Sequence, residues 1–443
     1  MSNKQDTLTE QAIVDRDRMK QQMLQRFLAP AALVIIYIYF GIFGRNFFSY
    51  PVLVNIIDSS YYIGFIAIGV TFVIIAGGID LSVGTVMMCA ATVGGTALTQ
   101  YGWSMEASLL LIMVVGTAFG FFNGFVIAYF NMPPFIVTLG TMMISMGTGS
   151  IVANVRSSAF PSRSAEGGWF KQLFKYISEE RQIIPTGAFI LLAVVIIGHI
   201  ILTRTRFGRY VYAMGSNREA ARLSGIDVRK WTMLTYVVAG VCAGIGGIAF
   251  AATYTTVIPA QGQGFELFAI AAAVIGGTSL SGGVGSVFGT LIGVFIMAVL
   301  SNGLPSMGLQ AHYQTFFTGV VVIGAVGLDQ YRTRKASEAK VVTEADSVRQ
   351  DGAKEIQELR RDLAEAKEQG DKDRVAELKR KIGEKRREVA RTYRAMKRKE
   401  KENRQKLAAE ERAAEQEFEK ILKEDQSRDD RSDQHSTGVS GEQ

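Results

Sequence analysis

Side chains able to do chemistry are sparse in the first three quarters of this 443-residue chain, and one of them is an acid in an unusual setting. Asp80 stands in GGIDLSVG, residues 77–84, the one carboxylate in a stretch of about forty otherwise apolar residues. An ionisable group in such a run is costly unless it meets a cavity or a partner. Gly77 and Gly78 can break a helix there, and Asp80 or Ser82 can cap the half that follows, satisfying the amides left free by the break. Two readings stand: the cap of a tight turn, or the lining of a transport path. Asn123, Thr138, Gly276, Gly277 and Ser279 join Asp80 and Ser82 as candidates for such a path.

Nothing else points to catalysis. His199 and His312 have no Cys, Asp or Glu neighbour at ligand spacing, so no metal site is expected. Cys89 and Cys242 lie inside apolar runs and read as packing residues. Glu266 reads as a solvated carboxylate beside a span. The glycine-rich IGGTSLSGGVG at 275–285 invites a phosphate-loop reading, but no Lys follows it, and G-x-x-x-x-G-K-[ST] is absent throughout. The chain has no nucleotide engine and no cofactor of its own.

A second chemistry is docking. Residues 204–230 are a soluble, basic interruption in about 300 mostly apolar residues. Ser216 and Glu219 have the Ser-x-x-Glu spacing of a capping box, and Gly225 can take the left-handed conformation that ends a helix. About two turns remain between them, with Ala220 and Ala221 small enough for close approach. So short a helix is marginal alone and needs packing to hold it. It is either a docking knuckle for another protein or an ordinary loop whose Arg residues set orientation.

The elements that must position these residues follow from composition. Residues 332–443 hold 30 Lys+Arg and 27 Asp+Glu, leaving 18 and 14 for residues 1–331. The first part is a membrane domain, since about 20 apolar residues cross a bilayer core as helix. Spans are expected at 27–44, 61–79, 81–100, 107–130, 135–155, 183–203, 231–254, 267–280, 286–304 and 313–328. Short loops with the N-terminus inside carry 14 Lys+Arg against 6 on the opposite side, so both termini and the 204–230 loop are expected to face the cytoplasm.

The fold class expected is therefore all-α: a polytopic membrane protein of about ten spans with a cytoplasmic helical tail. Residues 1–26 form an amphipathic lead-in, too polar for a secretory signal. The domain proper runs 27–330. Thr138, Gly140, Thr141, Gly147, Thr148 and Gly149 give the fifth span a small face for close packing. The outer loop 156–181, with Trp169, Phe170, Phe174 and Tyr176, reads as an interfacial amphipathic piece. The motif at 275–285 echoes 77–84 about 200 residues on, which points to internal duplication.

In the tail, 331–425, Glu, Lys, Arg and Ala dominate. Ile356, Leu359, Leu363, Val375, Leu378, Ile382 and Val389 recur at helical spacing around Gln369-Gly370-Asp371, reading as a helical hairpin or a coiled coil. Residues 426–443 read as disordered. The tail's near balance of charge argues against nucleic acid, and a second copy of the chain, another protein and membrane lipid are its candidate partners.

GGIDLSVG at Gly77, PPFIVTLGT at Pro133, GSNREAARLSGI at Gly215 and ELFAIAAAVIGGTSLSGG at Glu266 resemble the inner-membrane permease subunits of bacterial ATP-binding-cassette importers for simple sugars, over about residues 25–330. The resemblance implies a partner ATPase with two nucleotide-binding modules, an extracytoplasmic sugar-binding protein, and a second permease subunit, expected to be identical. It places the family's coupling helix on Gly215, Ser216, Asn217, Arg218, Glu219, Ala220, Ala221, Arg222, Ser224 and Gly225. Such a chain is a transport subunit in the cytoplasmic membrane, not an enzyme. Two departures bear on substrate choice: Phe268, where relatives usually carry an acid, and Ser145-Met146-Gly147, where Arg-Gly is common. Two other classes stay open, a related permease for nucleosides or branched-chain amino acids and a membrane scaffold acting through its tail.

Overall fold

A computed structural model describes residues 29–178, 182–340, 344–368, 371–399 and 402. The expected lead-in at 1–26 and the expected disordered end at 426–443 lie outside the described residues, as does most of the tail beyond 399. The chain divides into two compact units, Met1–Arg334 and Lys335–Gln443.

In the first unit a helix falls on each apolar run. They are α1 (Ala29–Phe43), α2 (Tyr50–Ile75), α3 (Val83–Tyr101), α4 (Met105–Phe130), α5 (Pro134–Val152), α7 (Gly187–Arg204), α10 (Val228–Thr253), α11 (Phe265–Ile275), α12 (Val287–Ser306) and α13 (Ala311–Lys340). Among the described residues six of these, α2, α4, α5, α7, α10 and α12, are long and apolar enough to cross a membrane, and α1 and α11 are shorter apolar helices. The molecule is thus a helical, multi-pass membrane protein.

α2 is the buried axle, with Tyr61, Phe65, Phe72, Ile74 and Ile75 wholly enclosed. It begins at Tyr50, eleven residues before the expected start, because Pro51 sits in its first turn after an extended Ser49. That places Asp58 inside the helix.

Close packing falls only in part where expected: Thr138, Thr141 and Gly149 of α5 are buried, a Cβ on Gly149 standing 3.5 Å from the Cys89 Cα. On α5 nothing lies within 4 Å of a side chain built at Gly140 or Gly147. The touching backbones are those of α4 and α10. A Cβ at Gly120 would stand 2.4 Å from the Tyr236 carbonyl oxygen, and one at Gly240 would stand 2.4 Å from that of Gly116. Gly116, Gly120 and Gly124 recur every four residues, the first two meeting Gly240 and Gly244 and the third the Met233 backbone, the small-residue seam by which membrane helices approach closely. Gly120→Ala is expected to destabilise the unit by about 1–3 kcal/mol, read as a lower melting temperature in detergent; an unchanged melt would mean the seam is loose.

The loop read as an interfacial piece is instead folded onto the core. Ser158–Ala159 (β1) pairs antiparallel with Thr256–Val257 (β4), and Tyr176–Ile177 (β2) with Ile183–Ile184 (β3). Between them α6 (Trp169–Phe174) buries Phe170 and Phe174 while Trp169 and Tyr176 stay exposed. Lys175 forms an ion pair with the buried Asp58 of α2.

The second unit contains α14 (Glu344–Glu368) and α15 (372–399). They form an antiparallel hairpin: Glu355 pairs with Lys385 at 2.7 Å, and Gly352 lies against Val389. Ala366, Leu378 and Ile382 are buried along the seam. The Asp371 carboxylate accepts from the Arg374 amide at 3.0 Å, capping α15.

Candidate functional site

The basic loop folds as two short helices, α8 (Arg206–Ser216) and α9 (Arg218–Leu223). The expected capping box is off by one residue. Ser216 is still helical, the last residue of α8, and the extended Asn217 is the cap, its Oδ1 accepting from the Ala220 amide at 2.9 Å. With Asn217 at the cap, Glu219 is the second helical residue and cannot reach back; it pairs instead with Arg222, at 2.5 Å to Nη2. Arg222 holds the Glu219 carboxyl below the usual range, and Glu219 raises Arg222 in return. Gly225 closes α9 at φ 82°, as its left-handed role requires.

Burial sorts the docking residues. Ala221 is 5% exposed and points into the chain's own core, so it cannot touch a partner. Ser216, Asn217, Arg218, Glu219, Ala220, Arg222, Ser224 and Gly225 are exposed. Leu223, which sequence reading passed over, is 76% exposed and is the apolar centre of that face. Its signal was present: a Leu two residues before the Gly that ends a short soluble helix.

Gly215 is not on this face. A Cβ there would stand 1.8 Å from the Ile75 carbonyl oxygen and 2.5 Å from the Gly283 nitrogen. That oxygen accepts from the Gly283 amide at 2.9 Å, and a Cβ on Gly282 would lie 3.1 Å from the Gly77 Cα. Three backbones therefore meet without side chains between them: the end of α2, the end of α8 and the loop after α11.

The two helices that end near this junction stop in the same way. The Gly77 amide donates to Ile74 and Gly78 to Val73; Gly277 donates to Val274 and Thr278 to Ala273, all at 2.9 Å. Gly77 and Gly277 are both left-handed, at φ 81° and 94°. Each pair is 200 residues apart, one residue out of the register that aligning the double glycines gives. The repeated turn supports an internal duplication.

Beyond Gly77 the chain enters a buried polar ladder. Asp80 Oδ1 accepts from the Ser82 amide at 2.8 Å and from its hydroxyl at 2.6 Å. Ser82 Oγ accepts from Asn123 Nδ2 at 2.9 Å, and Asn123 Oδ1 accepts from the Thr141 hydroxyl at 2.6 Å. Thr85 donates to the Ser82 carbonyl at 3.0 Å and accepts from Ser145 at 2.8 Å. All six residues are buried and tie the start of α3 to α4 and α5. Asp80 thus takes a freed amide and also belongs to a network. The crevice lined by Asp80, Ser82, Val86, Gly120, Asn123 and Gly240 leaves no room for a water molecule, so the ladder is shut.

Three of the expected path residues, Asp80, Ser82 and Asn123, come together there; the others do not. Thr138 donates within its own helix to Pro134, Gly276 and Gly277 form the second turn, and Ser279 donates to Asp329 at 3.1 Å. Thr85, Thr141 and Ser145 were missed. Glu266 is a correction: it is buried, not solvated, with Oε1 accepting from the Gly264 amide at 2.9 Å and Oε2 unpaired against Gly84.

Among the described residues no three His, Cys, Asp or Glu side chains could hold a metal ion. Helices long and apolar enough to cross a membrane, packed around a buried polar ladder, make this a multi-pass membrane protein. The chain belongs to the family described as the branched-chain amino acid transport system / permease component, which matches residues 52–326.

Among curated relatives, the fructose import permease protein FrcC of Rhizobium meliloti is 33% identical over 344 residues, 75% of this chain and 95% of that one. The ribose import permease protein RbsC of Escherichia coli strain K12 is 34% identical over 326 residues, 73% and 99% of the two chains. The xylose transport system permease protein XylH of the same strain is 30% identical over 372 residues, 72% and 95%. No solved structure matches the chain.

Proposed function

We propose that this chain is the membrane-spanning subunit of an ATP-binding-cassette importer that passes a simple sugar, a pentose or hexose, into the cytoplasm. The observation that carries the reading is its match to nearly the full length of relatives named for import of fructose, ribose and xylose. The family description speaks of branched-chain amino acids, so leucine and a nucleoside are the control solutes.

In this reading the chain is no enzyme: a separate ATPase with two nucleotide-binding modules drives it, a binding protein delivers the sugar, and two copies pair. About ten spans carry the chain through the inner membrane, the 11-residue α11 going only part of the way as helix, with both termini on the cytoplasmic side. ATP-driven closure of the ATPase pushes α9. Through Gly215 the push reaches Ile75 at the end of α2, and five to seven residues further on it reaches Asp80 and Ser82, where the ladder opens. A corridor of hydroxyls, one amide and the Asp80 carboxylate suits a sugar handed over by a protein that has already selected it.

The test is sugar-dependent ATP hydrolysis by the complex reconstituted with its ATPase and binding protein. Leu223→Asp places a charge on the knuckle's apolar centre. It is expected to lower sugar-stimulated hydrolysis at least tenfold, the effect of about 1.4 kcal/mol of lost docking, and to leave the melting temperature unchanged, since Leu223 packs against nothing. Wild-type stimulation in this variant would remove α9 from the drive, and stimulation by leucine instead of a sugar would replace the substrate class.

A further inference from the structure

The hairpin of the second unit is left without a role by transport, and its charge is unevenly laid out. Residues 344–368 carry 5 Lys+Arg and 8 Asp+Glu, whereas residues 371–399 carry 13 and 5. Residues 385–399 alone carry 8 against 1. The balance of the whole tail hides a basic helix beside an acidic one.

The basic side chains of α15 are also aligned. At about 100° per residue, Arg380, Arg387, Arg391, Arg394 and Arg398 fall within roughly 60° of arc. The seam residues Val375, Leu378, Ile382 and Val389 lie roughly 160° away, toward α14. The five arginines therefore point away from the hairpin's own partner helix, and all five are exposed. Arg380 pairs with Glu384 at 3.7 Å and Arg398 with Glu402 at 3.3 Å. Arg387, Arg391 and Arg394 make no ion pair among the described residues. From 380 to 398 the stripe is about 27 Å long, a rigid row of planar donors suited to phosphate oxygens.

We propose that this arginine face of α15 docks on an anionic lipid surface. Four to eight basic residues next to a membrane anchor are enough for such binding. Here the anchor is the same chain: the membrane unit ends at Arg334 and α14 begins ten residues later. Tethering makes lipid headgroups the phosphates at highest local concentration, whereas a nucleic acid would have to be recruited from solution. The acidic α14 is repelled by the same surface, which leaves the outer face of α15 as the one that lies down.

The test uses the full chain in lipid nanodiscs. Cys89 and Cys242 are buried, so a cysteine introduced by Ala395→Cys, beside the stripe, can be labelled selectively with bimane. Discs of phosphatidylcholine with or without phosphatidylglycerol carry a headgroup nitroxide lipid as quencher. Quenching is expected in the anionic discs only, and is expected to vanish at about 1 M salt, where the screening length falls to about 3 Å.

Changing Arg387, Arg391, Arg394 and Arg398 together to Gln should weaken docking more than a hundredfold, at about fivefold per charge. The corresponding four-Lys variant should retain it, which separates charge from helix integrity. Equal quenching in both discs, no quenching in anionic discs, or loss in the Lys variant would overturn the proposal. So would release of the helix by RNA at physiological salt, which would give this face to a nucleic acid.

Discussion

Gly215→Val is expected to cost the complex at least ten-fold in sugar transport while Gly225→Ala, at the other end of the same knuckle, leaves transport near wild type. The contrast follows from what surrounds the two glycines. A side chain at Gly215 meets backbone on two sides, the Ile75 carbonyl at 1.8 Å and the Gly283 nitrogen at 2.5 Å. Neither can move aside without breaking the 2.9 Å bond between them, so α8 must back away and take α9 with it. Overpacking of this kind costs about 1–3 kcal/mol and the added bulk of Val puts it at the upper end or beyond. Gly225 has open space around it and loses only the preference of its left-handed backbone, about 1–2 kcal/mol. Sugar uptake into proteoliposomes, with the melting temperature measured on the same samples, separates the two. Normal uptake by Gly215→Val would mean that α8 does not carry the drive to α2.

How much of this was readable in advance depended on whether the signal was local. Helix positions were legible because apolar runs and charge are segregated along the chain. The start of α2 was not, because Asp58 reads as a loop residue until its partner, 117 positions away, is known. The knuckle was legible to within one residue: Ser216 and Asn217 are both good caps, and what decides between them is that Ser216 is held in α8 against Gly283. Thr85 gave no signal, and Thr141 and Ser145 stood out only as a packing residue and a departure from the family, since hydroxyls in apolar helices commonly bond their own turn, as Thr138 does. The α4–α10 seam was written plainly at spacings of four, and the fifth span was chosen for small residues that do not repeat at that spacing. Glu266 was read as solvated because an acid next to a span usually is. Its burial follows from Gly262 and Gly264, whose left-handed turns fold the loop over it.

Lys175→Met is expected to lower stability more than any other single change at the α6 end of the bundle, by about 3–5 kcal/mol. Asp58 is 4% exposed and Lys175 is the only cation paired with it among the described residues. Removing the ammonium leaves a buried carboxylate with no paired cation, only the Tyr61 hydroxyl beside it, and the penalty is that of the stranded charge, not the worth of the pair. Asp58→Asn in the same chain takes the charge away and should recover most of the loss, whereas Asp58→Asn alone should cost less than Lys175→Met. The measurement is the melting temperature of the four proteins in one detergent, arranged as a double-mutant cycle. The cycle also bears on transport. Lys175 follows α6, whose Phe170 and Phe174 are buried in the core, so the pair fastens the folded loop to α2, the helix whose other end lies against Gly215 and would receive the push under the proposed mechanism. If the outer loop rides on α2 in this way, the double variant should regain stability yet transport more slowly than wild type, because the loop is folded but no longer fastened. Full recovery of both would show the pair to be a local compensation for a buried acid and nothing more.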